Sequence, residues 1–185
     1  VWSVRPTASC QAALDGLGVA FAPMPESALP IPAPVRVTAP VAGVAFRKLR
    51  AERPLIVACE LAARLPAIAE ILGRHRVTEV RVLSAWRRAP RTSFHTMGLA
   101  LDLSSFVRDD GSVLDVETDF VVRDAGPTCE GDPPTGEHAA ALRALACDLA
   151  TSAVVSTVVT PAYSDGHRDH LHIDIRPDDA RIFVR

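Results

Sequence analysis

Two runs constrain this chain more than any other feature: His95-Thr96-Met97-Gly98-Leu99-Ala100-Leu101-Asp102 and His167-Arg168-Asp169-His170-Leu171-His172-Ile173-Asp174. Four of the six histidines lie in them. Each run ends in alternation of period two, the pattern of a strand with one face toward the core. His170 and His172 are two apart, so their side chains leave the same face while Leu171 and Ile173 turn inward. In the first run Leu99 and Leu101 oppose Ala100 and Asp102. That puts an aspartate at or near the core side, where an unpaired carboxylate is costly. A metal ion shared by the two runs removes the cost; an ion pair from Asp102 to Arg81, Arg87 or Arg88 is the alternative.

Zinc accepts imidazole nitrogen and carboxylate oxygen, and a catalytic zinc site uses three protein ligands with a fourth position open to water. His95, Asp102 and His172 supply such a set for one Zn2+ ion. Asp174 continues the polar face and is placed to hydrogen-bond a neighbouring imidazole. Gly98 permits close approach of backbone or substrate. The chain has no His-Glu-x-x-His helix, no glycine-rich phosphate loop, and no GxSxG elbow around Ser84 or Ser93. With no glutamate beside the second run, the general base of a zinc hydrolase falls to a histidine, and His170 is the candidate.

The rest of the sequence is ordinary globular material. A length of 185 residues suits one domain with a full core (1–185). A net charge of −2, without a Lys/Arg stripe interleaved with aromatics, gives no case for nucleic acid. No run of eighteen apolar residues is present to span a bilayer, so a soluble chain without a transmembrane segment is expected. The oligomeric state is not readable. The start at Val1, without an initiator Met, suggests that an N-terminal targeting segment has been removed, and a periplasmic or secreted location is expected. Cys10, Cys59, Cys129 and Cys147 lack metal-knuckle spacing. They read either as two disulfides with three possible pairings, or, for Cys59 and Cys147, as buried thiols.

Residues 8–17 predict a short helix with Ala12, Ala13 and Leu17 on its packing side. Prolines at 23, 25, 30, 32, 34 and 40 make the rest of residues 1–50 a wrap, with a short edge strand at Val35–Thr38. Residues 51–185 form the core unit. Three-four apolar spacing over 54–74 predicts a helix, kinked or split near Leu65 by Pro66. Strands are expected at 77–86, 99–106, 112–116, 154–160 and 170–175, the second and third joined as a hairpin through Asp109-Asp110-Gly111. A surface loop spans 117–135, tied down through Cys129. A helix follows at 136–152, with Thr135 as its N-cap. Hairpin-joined strands with grouped helices give an α+β class with a central, mostly antiparallel sheet flanked by helices.

The pattern Ser93-x-His95-x-x-Gly98-x-Ala100-x-Asp102 resembles the first zinc motif of the D-Ala-D-Ala carboxypeptidase and murein endopeptidase superfamily, which includes the hedgehog signalling domain. The spacing of His167, His170 and His172 is similar to that superfamily's second motif in the penicillin-insensitive murein endopeptidases. Cys10-Gln-Ala-Ala-Leu14, Gly18-Val19-Ala20-Phe21, Pro34-Val35-Arg36, Arg91-x-Ser93-x-His95 and Pro161-x-Tyr163 extend the resemblance, over nearly the whole chain, to the bacterial extensin-like C-terminal domain family. The resemblance implies a hedgehog- and peptidase-like fold and a zinc peptidase acting on peptidoglycan stem peptides or cross-links, with ligands His95, Asp102 and His172. It further implies that His170 and His167 assist proton transfer and that Arg87 or Arg88 stabilises the oxyanion. Two cysteines usual in the family are missing, so its disulfide pattern does not carry over. The competing expectation is a module that holds zinc and binds cell wall or a partner without cutting.

Overall fold

The computed structural model describes residues 7–25, 28–50, 53–88, 93–123, 126–176 and 183–184. The chain is α+β, with two sheets rather than one. A small antiparallel sheet has the order β1-β2-β4, from Phe21–Pro23, Pro34–Val37 and Leu55–Ala58. The larger sheet contains β3 (Ala45–Lys48), β5 (Val77–Ser84), β6 (Ala100–Arg108), β7 (Val113–Asp115), β8 (Thr157–Val159), β9 (Leu171–Asp174) and β10 (Phe183–Val184). Its order is β10-β8-β9-β6-β5-β3, with β7 paired to β6. The pairs β8–β9, β9–β6, β6–β5 and β6–β7 are antiparallel, while the outermost pairs, β10–β8 and β3–β5, are parallel.

Five helices are described: α1 (Thr7–Gly16), α2 (Cys59–Ala62), α3 (Leu65–Arg74), α4 (Val116–Asp119) and α5 (Glu137–Thr151). Leu65, Ile68, Ala69, Ile71 and Leu72 of α3 and Leu142, Leu145, Ala146 and Leu149 of α5 are buried, and one apolar cluster runs from Cys10 to Ile175. The edge and middle roles of the strands follow from burial. β6, nine residues long, has no exposed side chain and lies inside the sheet, as a strand covered on both faces must.

Several expectations are corrected. The segment at Val35–Thr38 is not an edge strand: β2 is the middle strand of the small sheet, bonded to β1 and β4. Pro34 opens it, where a missing N–H is least disruptive. The helix over 54–74 begins as a strand, because Leu55-Ile56-Val57 has the β-branched character that pairs with β2 and its apolar run fits either period. Two helices then abut as expected, with Pro66 in the first turn of α3. The buried residues of α1 are Cys10 and Leu14, and Leu17 is 48% exposed. The N-cap of α5 is Gly136, not Thr135, with no side-chain cap bond. The segment 117–135 is not wholly loop, since α4 occupies its start. β3 was not anticipated at all.

The cysteines form two disulfides, Cys10–Cys59 and Cys129–Cys147. The second closes the loop after α4, as expected for Cys129. Arg143 of α5, buried, reinforces the closure by donating to the carbonyls of Thr128, Glu130, Gly131 and Asp132.

Candidate metal centre

Sheet register brings the two histidine runs together. β6 and β9 pair with Asp102 opposite His172. His95 arrives on a 3-10 turn, Phe94–Met97, that begins at Ser93, whose side chain accepts from the His95 backbone N–H. The turn ends at Gly98 with φ of 68°. A Cβ there would lie 2.6 Å from the Ala58 backbone nitrogen, which donates to the Gly98 carbonyl. The close approach at Gly98 is therefore by backbone, from the end of β4.

Three donor atoms converge. His95 Nε2 lies 3.0 Å from Asp102 Oδ1 and 3.2 Å from His172 Nδ1, and His172 Nδ1 lies 2.9 Å from Asp102 Oδ1. His95 and Asp102 are buried, and His172 is partly so. Ligands held at 2.0–2.1 Å around a tetrahedral zinc ion are separated by about 3.3 Å, so the triangle has close to the size of one face of such a site.

The far side of each ring fixes which nitrogen carries its proton. His95 Nδ1 lies 2.6 Å from the Ala85 carbonyl, which can only accept, so Nδ1 donates and Nε2 of the neutral ring is bare. His172 Nε2 faces Asp174 Oδ2 at 3.3 Å, as expected for that carboxylate, leaving Nδ1 bare. His170 Nδ1 faces Asp169 Oδ1 at 2.7 Å, and its Nε2 points inward, 3.4 Å from Asp102 Oδ1. Lone pairs from all three rings therefore converge on one carboxylate oxygen, an arrangement that demands positive charge at the centre. A proton on one imidazole satisfies part of it; a metal ion satisfies all three donors of the triangle. Imidazoles held by carbonyl and carboxylate partners on their outer nitrogens are the usual surroundings of metal-binding histidine.

The electrostatics agree. Burial opposes charge on Asp102, but bonds to His172 and His95 outweigh it and hold the carboxyl well below the usual carboxylate range. Burial likewise pushes His172 down, but Asp102 and Asp174 prevail and raise it to about 9. In the metal-free chain the central positive charge is thus a proton on His172. His167, half-buried, bonds Ser164 Oγ at 2.9 Å, and its ring centroid is 5.3 Å from that of His170. Burial and then the neighbouring His170 and His172 lower its pKa, and Arg87 adds to the effect.

The sequence-predicted residues thus divide. His95, Asp102 and His172 form the triangle, His170 touches it and His167 stands beside His170. Asp102 meets imidazoles rather than an arginine among the described residues. Arg87 is exposed, bonds the His95 carbonyl through its backbone N–H, and acts electrostatically on His167; Arg88 is exposed and enters none of the described site contacts. Arg91 lies outside the described residues. His75 and His138 are elsewhere, bonded to Asp148 and Asp119. Sequence reasoning missed the Ala85 carbonyl, for which no side-chain signal exists, and Asp169, whose adjacency to His170 was the available clue.

The family model described as "Extensin-like protein C-terminus" matches residues 8–183. No curated protein and no solved structure matches the chain.

Proposed function

Because the chain belongs to the family of extensin-like protein C-terminal domains, we propose that it is a zinc-dependent peptidase of the D-Ala-D-Ala carboxypeptidase and murein endopeptidase type, with the related hedgehog-like fold, cutting peptide bonds in peptidoglycan stem peptides or cross-links. The observation that carries this reading is the convergence of His95 Nε2, Asp102 Oδ1 and His172 Nδ1, with the outer ring nitrogens of both histidines held by Ala85 and Asp174. These three side chains would hold the ion. Zinc bound by such a set polarises an amide carbonyl and lowers the pKa of bound water toward neutrality.

The chain's own groups supply the remainder. His170 keeps its Nδ1 proton on Asp169 and offers a bare Nε2 next to Asp102, placed to take the proton of the attacking water and return it to the leaving amine. His167, its pKa lowered, stands beside His170 as a second imidazole that assists this transfer. Arg87 is favoured over Arg88 for the oxyanion, since its charge bears on His167 and its backbone N–H bonds the His95 carbonyl. Two disulfides fit an oxidising compartment, and no described helix is long and apolar enough to cross a membrane. Both accord with a periplasmic or secreted site of action.

The test is metal content followed by turnover. The chelator-stripped chain takes up one zinc ion, and His172→Ala abolishes uptake; no uptake, or uptake unaffected by the substitution, overturns the metal reading. The zinc-loaded chain releases a new amine from cross-linked muropeptides, seen by product mass spectrometry, and His170→Ala suppresses it. Zinc uptake with no new amine from any muropeptide leaves a zinc-holding module that binds cell wall or a partner.

A further inference from the structure

A cavity of about 220 Å³ opens between the end of β2, the strand β3 and the Arg53–Leu55 turn. Its apolar wall includes Val37, Phe46 and Leu55, its polar wall Arg47, Lys48 and Arg53, and no carboxylate lines it among the described residues. Arg47 is bonded to Glu79 at 2.9 Å, so the positive charge offered to a ligand centres on Lys48 and Arg53. Lys48 is half-buried and donates to the Leu83 carbonyl at 2.9 Å, which uses one of three ammonium donors. We propose that this cavity is a subsite for one carboxylate-bearing residue of the peptide substrate, the aliphatic body resting on Phe46 and Leu55 and the carboxylate bridging Lys48 and Arg53.

Three further observations support it. Burial lowers the Lys48 pKa and the nearby Arg53 lowers it further, a strain that an anion between the two cations relieves. Asp102 acts on Lys48 in the opposite sense, so the cavity lies within electrostatic reach of the donor triangle. Register explains that reach: Lys48 pairs with Val82, and Val82 with Leu103, the neighbour of Asp102. Two strand spacings amount to about 10 Å, and an extended peptide advances about 3.3 Å per residue. The bound carboxylate is then about three residues from the bond at the triangle. A bare inorganic anion would leave the apolar wall unused; an acidic amino-acid residue uses both walls. This rests on the peptidase reading for its account of what the peptide is doing there.

The test measures binding, apart from turnover. Acetyl-Ala-Glu-Lys-Ala with free carboxylates, and the same peptide with both carboxylates amidated, are titrated into the chelator-stripped full chain and followed by amide NMR shifts. The acid form binds about tenfold more tightly, the size of a charge-assisted contact, and moves the amides of Ala45–Lys48. Lys48→Met and Arg53→Gln each abolish the preference, Lys48→Arg retains it, and thermal unfolding checks that each variant folds. Equal affinity for the two peptides, no binding of either at millimolar concentration, or a preference that survives both neutral variants overturns the subsite. Muropeptide cleavage without any acid preference refutes the subsite and leaves the peptidase standing; the acid preference without cleavage does the reverse.

Discussion

Asp102 is the residue on which the site turns, because three imidazoles aim lone pairs at one of its oxygens and only positive charge reconciles them. In the metal-free chain that charge resides on His172, with a clear consequence for pH. Folding raises the His172 pKa from 6.5 to about 9, so its contribution to stability is complete below pH 6.5 and is lost as pH rises through 9. Asp102 is shifted the opposite way, so its contribution holds above its ordinary pKa of 3.8 and is lost as pH falls. Denaturant unfolding of the chelator-stripped chain should therefore show the advantage of wild type over His172→Gln at its largest between pH 5 and 6.5, shrinking from pH 6.5 upward and gone above pH 9; an advantage that grows with pH contradicts the assignment. Gly98 carries a second prediction at this scale. It combines a positive φ with a would-be Cβ contact to backbone, which cannot swing aside as a side chain could. Gly98→Ala should cost more than the roughly 1–2 kcal/mol of the left-handed backbone alone, reaching about 2–4 kcal/mol once overpacking is added, as read from urea midpoints. The ligand residues were legible in sequence because alternation placed His170, His172 and Asp174 on one polar face and Asp102 near the core side, where a carboxylate needs positive charge. The Ala85 carbonyl was not, since any residue type supplies the same acceptor.

Among elements, those that carry their own period were readable, and those defined by a distant partner were not. β5, β6, β9, α3 and α5 each declare themselves by local spacing. β3 has four residues and gains its identity only by lying parallel to β5, more than thirty residues away. Leu55–Ala58 continues the apolar spacing of the helices that follow, and only pairing with β2 makes it a strand. The loop after α4 shows the same dependence, because its conformation is imposed by Arg143 from α5. Four carbonyls accept from one guanidinium, and a hydrogen bond to a charged group contributes about 1.5–3 kcal/mol. Arg143→Met keeps the bulk of the side chain and orphans those carbonyls. It should lower stability by about 2–4 kcal/mol and accelerate hydrogen exchange and proteolysis within 127–132, while leaving zinc uptake intact, since no donor of the triangle lies on that loop. Slow exchange in the variant would show that Cys129–Cys147 alone suffices.

At the scale of the whole molecule, the two disulfides act on different parts of the fold. Cys129–Cys147 staples a loop to the helix that already clamps it, across 18 residues. Cys10–Cys59 spans 49 residues and joins α1 to the first residue of α2. Among its described side chains α1 buries only Cys10 and Leu14, so that bond supplies much of what holds it to the core. Cys59 also follows Ala58, whose N–H meets Gly98 at the end of the histidine turn, and its own N–H bonds the Ala33 carbonyl. The chain-entropy account gives about 4 kcal/mol for the longer closure and about 3 kcal/mol for the shorter, close enough that entropy alone barely separates them. Their surroundings do. Removing Cys129–Cys147 leaves the Arg143 clamp in place, whereas removing Cys10–Cys59 loosens α1 and the backbone against which Gly98 is fitted. The double variant Cys10→Ser/Cys59→Ser should therefore show the lower urea midpoint and also weakened zinc affinity, while Cys129→Ser/Cys147→Ser should lose stability with zinc affinity unchanged. The reverse order would mean that the histidine turn is held from the β6 side alone, with the packing of Gly98 on Ala58 contributing nothing to the metal centre.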